Sequence, residues 1–342
     1  MDLSAKTSYV RPIKVAGEVM KKHRLARRAV LRAALGVACA ATASGIAGEA
    51  DGQQSGQVRW SSGTEPPRLR APVNATDCHF HIYDASFPIA PYATLKPPEA
   101  SVDDYQALRR RLGITRGVLI QPSTYGTDNR SYLSLLPKLG SDRTRMVAVV
   151  NTSVTDAELR DMHAAGVRGI RFNLAPAGAT SLDMVEPLSR RVDALGWHCQ
   201  INMPGQQILA AQDLFLRIPG KLVFDHLAHI PEPEGPASPV FSLMRRLLDN
   251  GNTWIKLSGA YADTKLGPPA YADSTAVASA YVLAAPERLV WGSDWPHPTE
   301  AADKKPDDAV LFDLLAVWVP DMAMRHRVLV ENPARLYDFP HP

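Results

Sequence analysis

Cysteine is scarce in this chain: Cys39, Cys78 and Cys199 are the only three in 342 residues. So few thiols exclude a disulfide scaffold and leave burial to hold the fold. Cys78 and Cys199 fall in the first and fifth of eight expected strands, beside the inward-facing positions. In a closed eight-stranded barrel they lie on opposite sides, too far apart to bridge. A long apolar run is also missing. The stretch 33–47 is Ala-rich and too short and weak to stay in a bilayer. No acidic residue occurs between Glu18 and Glu49, and that window holds Arg27-Arg28. Together these read as a twin-arginine export signal over 1–50, handled by the twin-arginine export machinery. The expected product is periplasmic, with no stable membrane anchor once the signal is cleaved.

Nor is there a real excess of positive charge. Of 38 basic and 35 acidic residues, nine and three lie in 1–50, which leaves 29 against 32. The basic balance belongs to the signal, so composition gives no reason to expect a nucleic-acid partner. A glycine-rich phosphate loop is absent after the first expected strand, which excludes a dinucleotide-binding, doubly wound sheet.

What remains is an alternation of strands and helices. Residues 51–73, rich in Gly, Ser, Gln and Pro, read as a flexible lead-in, and 74–339 as one large α/β domain. Strands are predicted at 76–83, 115–121, 145–151, 167–173, 197–203, 221–226, 253–258 and 288–293. Amphipathic stretches separate them at 102–112, 156–165, 183–195, 241–250 and 270–285. Several strands are continuous apolar runs, such as Met146-Val147-Ala148-Val149-Val150, as when both faces are covered. Eight such units in succession predict a (β/α)8 TIM barrel, a single domain after the signal.

Activity in such a barrel sits at the carboxyl ends of the strands. The first strand carries Asp77-x-His79-x-His81, whose i, i+2 spacing puts the side chains on one face. Later strand ends offer Ser123, Arg171, Asn202, His226 with His229, Tyr261 and Asp294. His and carboxylate groups gathered this way suit an enzyme that activates water.

These residues in combination resemble the amidohydrolase superfamily. The resemblance rests on Asp77-x-His79-x-His81, Arg171-Phe172-Asn173, Phe224-Asp225-His226, Lys256-Leu257-Ser258-Gly259 and Gly292-Ser293-Asp294-Trp295-Pro296-His297. It is nearest the branch that includes 2-pyrone-4,6-dicarboxylate lactonase, 4-sulfomuconolactone hydrolase and D-galactarolactone isomerase. It implies a lactonase-type hydrolase in which Asp294 is the base for water and His79, His81 and His226 polarise the carbonyl. Substrate contacts would come from Arg171, Ser123, Asn202, Tyr261, His229, Tyr92 and His297. A binuclear centre is not expected, because the fourth strand has Arg171 in place of Lys or Glu. The fifth-strand His198 lies at the closed end. No metal is expected to be obligatory; the alternative is one Zn or Mn ion on His79, His81, His226 and Asp294. No second Arg follows Arg171 nearby, which favours a lactone or sugar-acid lactone with one anionic group over a dicarboxylate. The alternatives are a lactone isomerase of the galactarolactone type and a metal-dependent amidohydrolase or decarboxylase.

Overall fold

The computed structural model describes residues 56–174 and 178–340; the expected signal, 1–50, lies outside the described residues. Eight parallel strands form one sheet in sequence order: β1 Thr76–Phe80, β2 Arg116–Ile120, β3 Thr144–Ala148, β4 Val167–Asn173, β5 His198–Asn202, β6 Lys221–Phe224, β7 Thr253–Leu257 and β8 Leu289–Trp291. Helices cross between them, so this is the TIM-barrel architecture expected from the sequence. The strands stop short of the predicted apolar runs, most clearly at β1 and β8. Beyond Phe80 and Trp291 the backbone turns to close the ring. Asp294 donates its N–H to the His79 carbonyl at 2.8 Å, and His81 donates to the Trp295 carbonyl at 2.9 Å. Gly292 is required at this seam, because a Cβ there would lie 2.6 Å from the His79 Cβ.

Local signals start and stop the helices. Val102–Leu112 opens on a capping box between Ser101 and Asp104 and ends at Gly113 with φ 72°. Asp156–Ala165 repeats the device with Thr155, Glu158 and Gly166. No helix among the described residues is long and apolar enough to cross a membrane.

Two apolar layers sandwich the sheet. The outer one packs Phe80, Leu119, Met146, Ile170, Ile201 and Phe224 under the helices. The inner one joins Cys78, Val118, Ile120, Val147, Val223, Trp254 and Val290 to Ala334, Leu336, Tyr337 and Phe339 near the carboxyl terminus. Those last four residues plug the closed end. Arg116 and Arg145 lie over the Phe339 ring at 5.2 and 4.7 Å, and donate to the Pro340 and Asp338 carbonyls.

Strict alternation fails in β1. The register slips between Asp77 and Phe80, so Cys78 joins the barrel interior, contrary to its expected place beside the inward positions. The Asp77 side chain correspondingly meets His79 at its backbone, Oδ1 accepting the His79 N–H at 3.0 Å, and does not join the two imidazoles. It accepts from Tyr105 Oη, Ser293 N and Ser293 Oγ, tying β1 to the first crossover helix and to the end of β8. Cys199 belongs to the outer layer, and both cysteines are free. Residues 56–73, read from composition as a flexible lead-in, run along the barrel. Arg111 donates to the Glu65 and Ser62 carbonyls and to Ser61 Oγ, and Trp295 Nε1 donates to the Arg59 carbonyl.

Candidate active site

Asp294 is the centre of the polar end. Its Oδ1 lies 3.4 Å from His79 Nε2, 3.6 Å from His81 Nε2 and 3.8 Å from His226 Nε2. Its Oδ2 accepts a 2.5 Å hydrogen bond from the Tyr261 hydroxyl. Burial pushes the carboxyl group up, but the imidazoles of His226, His81 and His79 outweigh it and hold Asp294 well below the ordinary carboxylate range. It is therefore held as the ionised carboxylate. Burial, helped by the Lys256 ammonium, holds His79 well below the usual imidazole range, and burial lowers His226 as well.

Each imidazole is oriented from behind. His81 Nδ1 is 2.7 Å from the Ile120 carbonyl and must donate to it, so in the neutral ring Nε2 carries the lone pair. His226 Nδ1 is 3.0 Å from Ser258 Oγ. His79 Nδ1 faces Lys256 Nζ and Asp225 Oδ1, each at 3.3 Å. Below that ring Lys256, fully buried, donates to Gln200 Oε1 at 2.8 Å and lies 3.4 Å from Asp225 Oδ1. Arg171 Nε and Gln200 Nε2 both donate to Asp225 Oδ2 at 3.1 Å. Burial alone would raise Asp225, yet Lys256, His79 and Arg171 keep it well below the usual range. The sequence reading assigned no role to Asp225 or Lys256. A signal existed: Lys256 sits at an inward position between Trp254-Ile255 and Leu257, where an unpaired charge would be very costly.

The backbone is bent to make this arrangement. His226, Leu227, Ala228 and His229 all have positive φ, between 46° and 60°, as do Asp294 at 61° and His297 at 55°. Left-handed conformations are unfavourable for residues with a Cβ, and their concentration here marks strain held by the surrounding contacts. Gly259 permits the close approach, since a Cβ there would lie 2.8 Å from His226 Nδ1.

A cavity of about 290 Å³ opens over Asp294. Of the residues singled out by sequence, His81, Ser123, Arg171, Asn202, His226, His229 and Asp294 line it. His79 lies fully buried behind its floor. Along one wall Asp263, His229, Asn202, Asn173 and Ser123 form an unbroken hydrogen-bonded row, with contacts from 2.9 to 3.3 Å. Tyr261 and His297 are not among the lining residues, and His297 is wholly buried. Tyr92 is half exposed and lies over Gly126, away from the cavity lining. A larger groove of about 620 Å³ beside Arg109 and Arg143 has no His, Asp, Glu or Cys in its lining.

The donor set could hold a metal ion. His79 Nε2, His81 Nε2 and Asp294 Oδ1 are separated by 3.3, 3.4 and 3.6 Å. Bonds of about 2.0–2.1 Å in tetrahedral geometry place ligand atoms roughly 3.3 Å apart, so this triangle fits one face of a zinc site. His79, Asp225 and His226 form a second such group, but there Asp225 is already committed to Arg171 and Lys256. Arg171 on β4 pairs in register with Gln200 on β5.

A family model described as amidohydrolase matches residues 76–339. The chain is 33% identical to a 2-pyrone-4,6-dicarboxylate hydrolase of Comamonas testosteroni, covering 82% of this chain and 96% of that one. It is 35% identical to a 4-sulfomuconolactone hydrolase of Rhizobium radiobacter, over 80% and 92% of the two chains. To a D-galactarolactone isomerase of Agrobacterium fabrum it is 32% identical, over 82% and 96%.

Proposed function

We propose that this chain, which belongs to the amidohydrolase family, opens the ring of a small anionic lactone by hydrolysis. The observation that carries the reading is Asp294 Oδ1, a buried carboxylate oxygen within 3.8 Å of three imidazole nitrogens at the floor of a cavity. Asp294 takes a proton from water as the water attacks the lactone carbonyl, and later returns it to the ring oxygen as the ester bond breaks. With the His81 ring neutral its Nε2 carries the lone pair, and a His79 Nε2 proton would be shared between His81 and Asp294. His226 Nε2 is then the donor that stabilises the oxyanion. One Zn or Mn ion on His79, His81 and Asp294, with His226 beside it, would supply Lewis-acid polarisation of the same carbonyl. The reading does not require it.

Arg171 fits the anionic group. Its Nε is held by Asp225, while among the described residues the terminal nitrogens make no hydrogen bond. Among the described residues no other Arg or Lys lines the cavity, and Glu300 lies in the same lining. A substrate with one anionic group and several hydroxyls therefore suits it better than a dicarboxylate.

The test is a pH-indicator screen of 2-pyrone-4,6-dicarboxylate, 4-sulfomuconolactone and D-galactarolactone on chelator-treated and on Zn- or Mn-loaded protein. Products should be open-chain acids; a rearranged lactone would assign an isomerase instead. On the best substrate Asp294→Asn should lower kcat by roughly 10²–10⁴-fold, the usual span for a general base. Near-full turnover by that variant would sink the reading. Export to the periplasm is proposed from Arg27-Arg28 and the weak apolar stretch after it. Replacing both arginines by lysine should retain the protein in the cytoplasm on fractionation, and unchanged delivery would refute that route.

A further inference from the structure

We propose that Tyr261, His297 and Asp308 form a positioning chain that fixes the Asp294 carboxylate, an inference that rests on the reading of Asp294 as the base. The Tyr261 hydroxyl donates to Asp294 Oδ2 at 2.5 Å. His297 Nδ1 lies 3.1 Å from the Tyr261 oxygen, and its Nε2 lies 3.1 Å from Asp308 Oδ2. His297 and Asp308 are both fully buried. The two rings meet edge to face, with centroids 5.1 Å apart and planes at 87°. Tyr261, in the loop after β7, thus joins the base to a histidine and a carboxylate that solvent does not reach.

Neither Tyr261 nor His297 lines the cavity, so neither is placed to touch a ligand there. Their contacts point to the base instead. The turn after β8 explains how one short segment serves both ends of the chain. His297 donates its backbone N–H to the Asp294 carbonyl at 2.7 Å, which folds the histidine back beneath the carboxylate it serves. Asp308 is the first residue of the helix Asp308–Trp318, where the positive end of the helix dipole favours a carboxylate. Its own N–H donates to Ser61 Oγ at 3.2 Å, so the segment along the barrel flank braces the far end.

The effect is to make the two oxygens of Asp294 unequal. With Oδ2 held by Tyr261, Oδ1 is the oxygen presented to His79, His81 and His226. A carboxylate without that hold can swing about its terminal torsion and share both oxygens with the imidazoles. Displacement of a reacting atom by about 1 Å can cost on the order of 10²-fold in rate. A hydrogen bond to a charged group is worth roughly 10–100-fold in an equilibrium or a rate.

Tyr261→Phe, Asp308→Asn and the double variant decide the matter, assayed with the lactone turned over fastest in the screen above. Tyr261→Phe should lower kcat by roughly 10–100-fold and leave KM nearly unchanged. Asp308→Asn should lower kcat by less, and add nothing in the Tyr261→Phe background, because it acts through Tyr261. Unaltered kcat in Tyr261→Phe, a rise confined to KM, or additive losses in the double variant would each overturn the chain. An activity-free readout is proton NMR with labelled tyrosine. The full protein should show a low-field, slowly exchanging Tyr261 hydroxyl proton that shifts in Asp308→Asn and vanishes in Tyr261→Phe. A spectrum without it, or unmoved in Asp308→Asn, also overturns the proposal. Asp294→Asn separates the two readings. If that variant keeps full turnover, the base assignment fails. If it loses turnover while Tyr261→Phe does not, the positioning chain alone fails.

Discussion

The two ends of the barrel are built from the same eight strands and solve opposite problems. At the carboxyl end the inward positions carry His79, Arg171, Asn173, Asn202 and Asp294, joined by hydrogen bonds and ion pairs. At the amino end they carry Cys78, Val118, Val147, Val223 and Val290, sealed by Tyr337 and Phe339. Backbone strain divides in the same way. Six of the ten non-glycine residues with positive φ among those described are His226 to His229, Asp294 and His297. The apolar end supplies the burial that holds strained, charged residues at the other end in place. Between them lies one layer of buried polar and charged groups: Lys256, Asp225, Gln200 and the Nδ1 side of His79.

That layer gives the most damaging way to break the comparison. Lys256→Met removes one partner of a fully buried pair and leaves Asp225 with less compensation. Breaking such a pair costs about 3–5 kcal/mol. The same change removes the ammonium beside His79, so kcat should fall as well. Urea unfolding and kinetics on one preparation measure both. If the two properties can be lost separately here, the layer is not the seam between chemistry and stability.

Much of this was legible in the chain. The strand order, and the convergence of His79, His81, His226 and Asp294, follow from apolar runs ending in His or Asp at inward positions. Three things were hidden. The slip in β1 depends on pairing with β2, which alternation within β1 cannot report. The contact of Lys256 with His79 spans 177 residues, a pairing that no local pattern encodes. The resemblance implies Tyr261 and His297 as ligand contacts. The backbone turn at Asp294 to His297 instead directs the histidine inward, where it meets Asp308.

The closed end gives a gentler and more specific test. His198 begins β5 inside the apolar layer, edge-on to Tyr337 with centroids 5.3 Å apart. Gly169 lets it lie there, since a Cβ at that position would be 2.4 Å from the ring. Among the described residues neither ring nitrogen has a hydrogen-bond partner, the Gln200 amide being committed to Lys256 and Asp225. Burial, with Lys256 adding to it, lowers His198 to about 3. An unfolded imidazole titrates near 6.5, so between these values the unfolded chain binds a proton that the folded one refuses. The stability that neutral His198 allows is thus complete above about pH 6.5 and declines as the pH falls towards 3. At pH 5 the loss from this one group is about 2 kcal/mol. His198→Leu should flatten the stability profile between pH 7 and 5 by about that amount. At pH 8 it should cost little, because an apolar side chain needs no partner there. Urea unfolding of both proteins at several pH values gives the slopes directly. Parallel slopes would show that His198 is solvated or hydrogen-bonded in solution, and the contrast between a wet end and a dry end would fail at its most polar point.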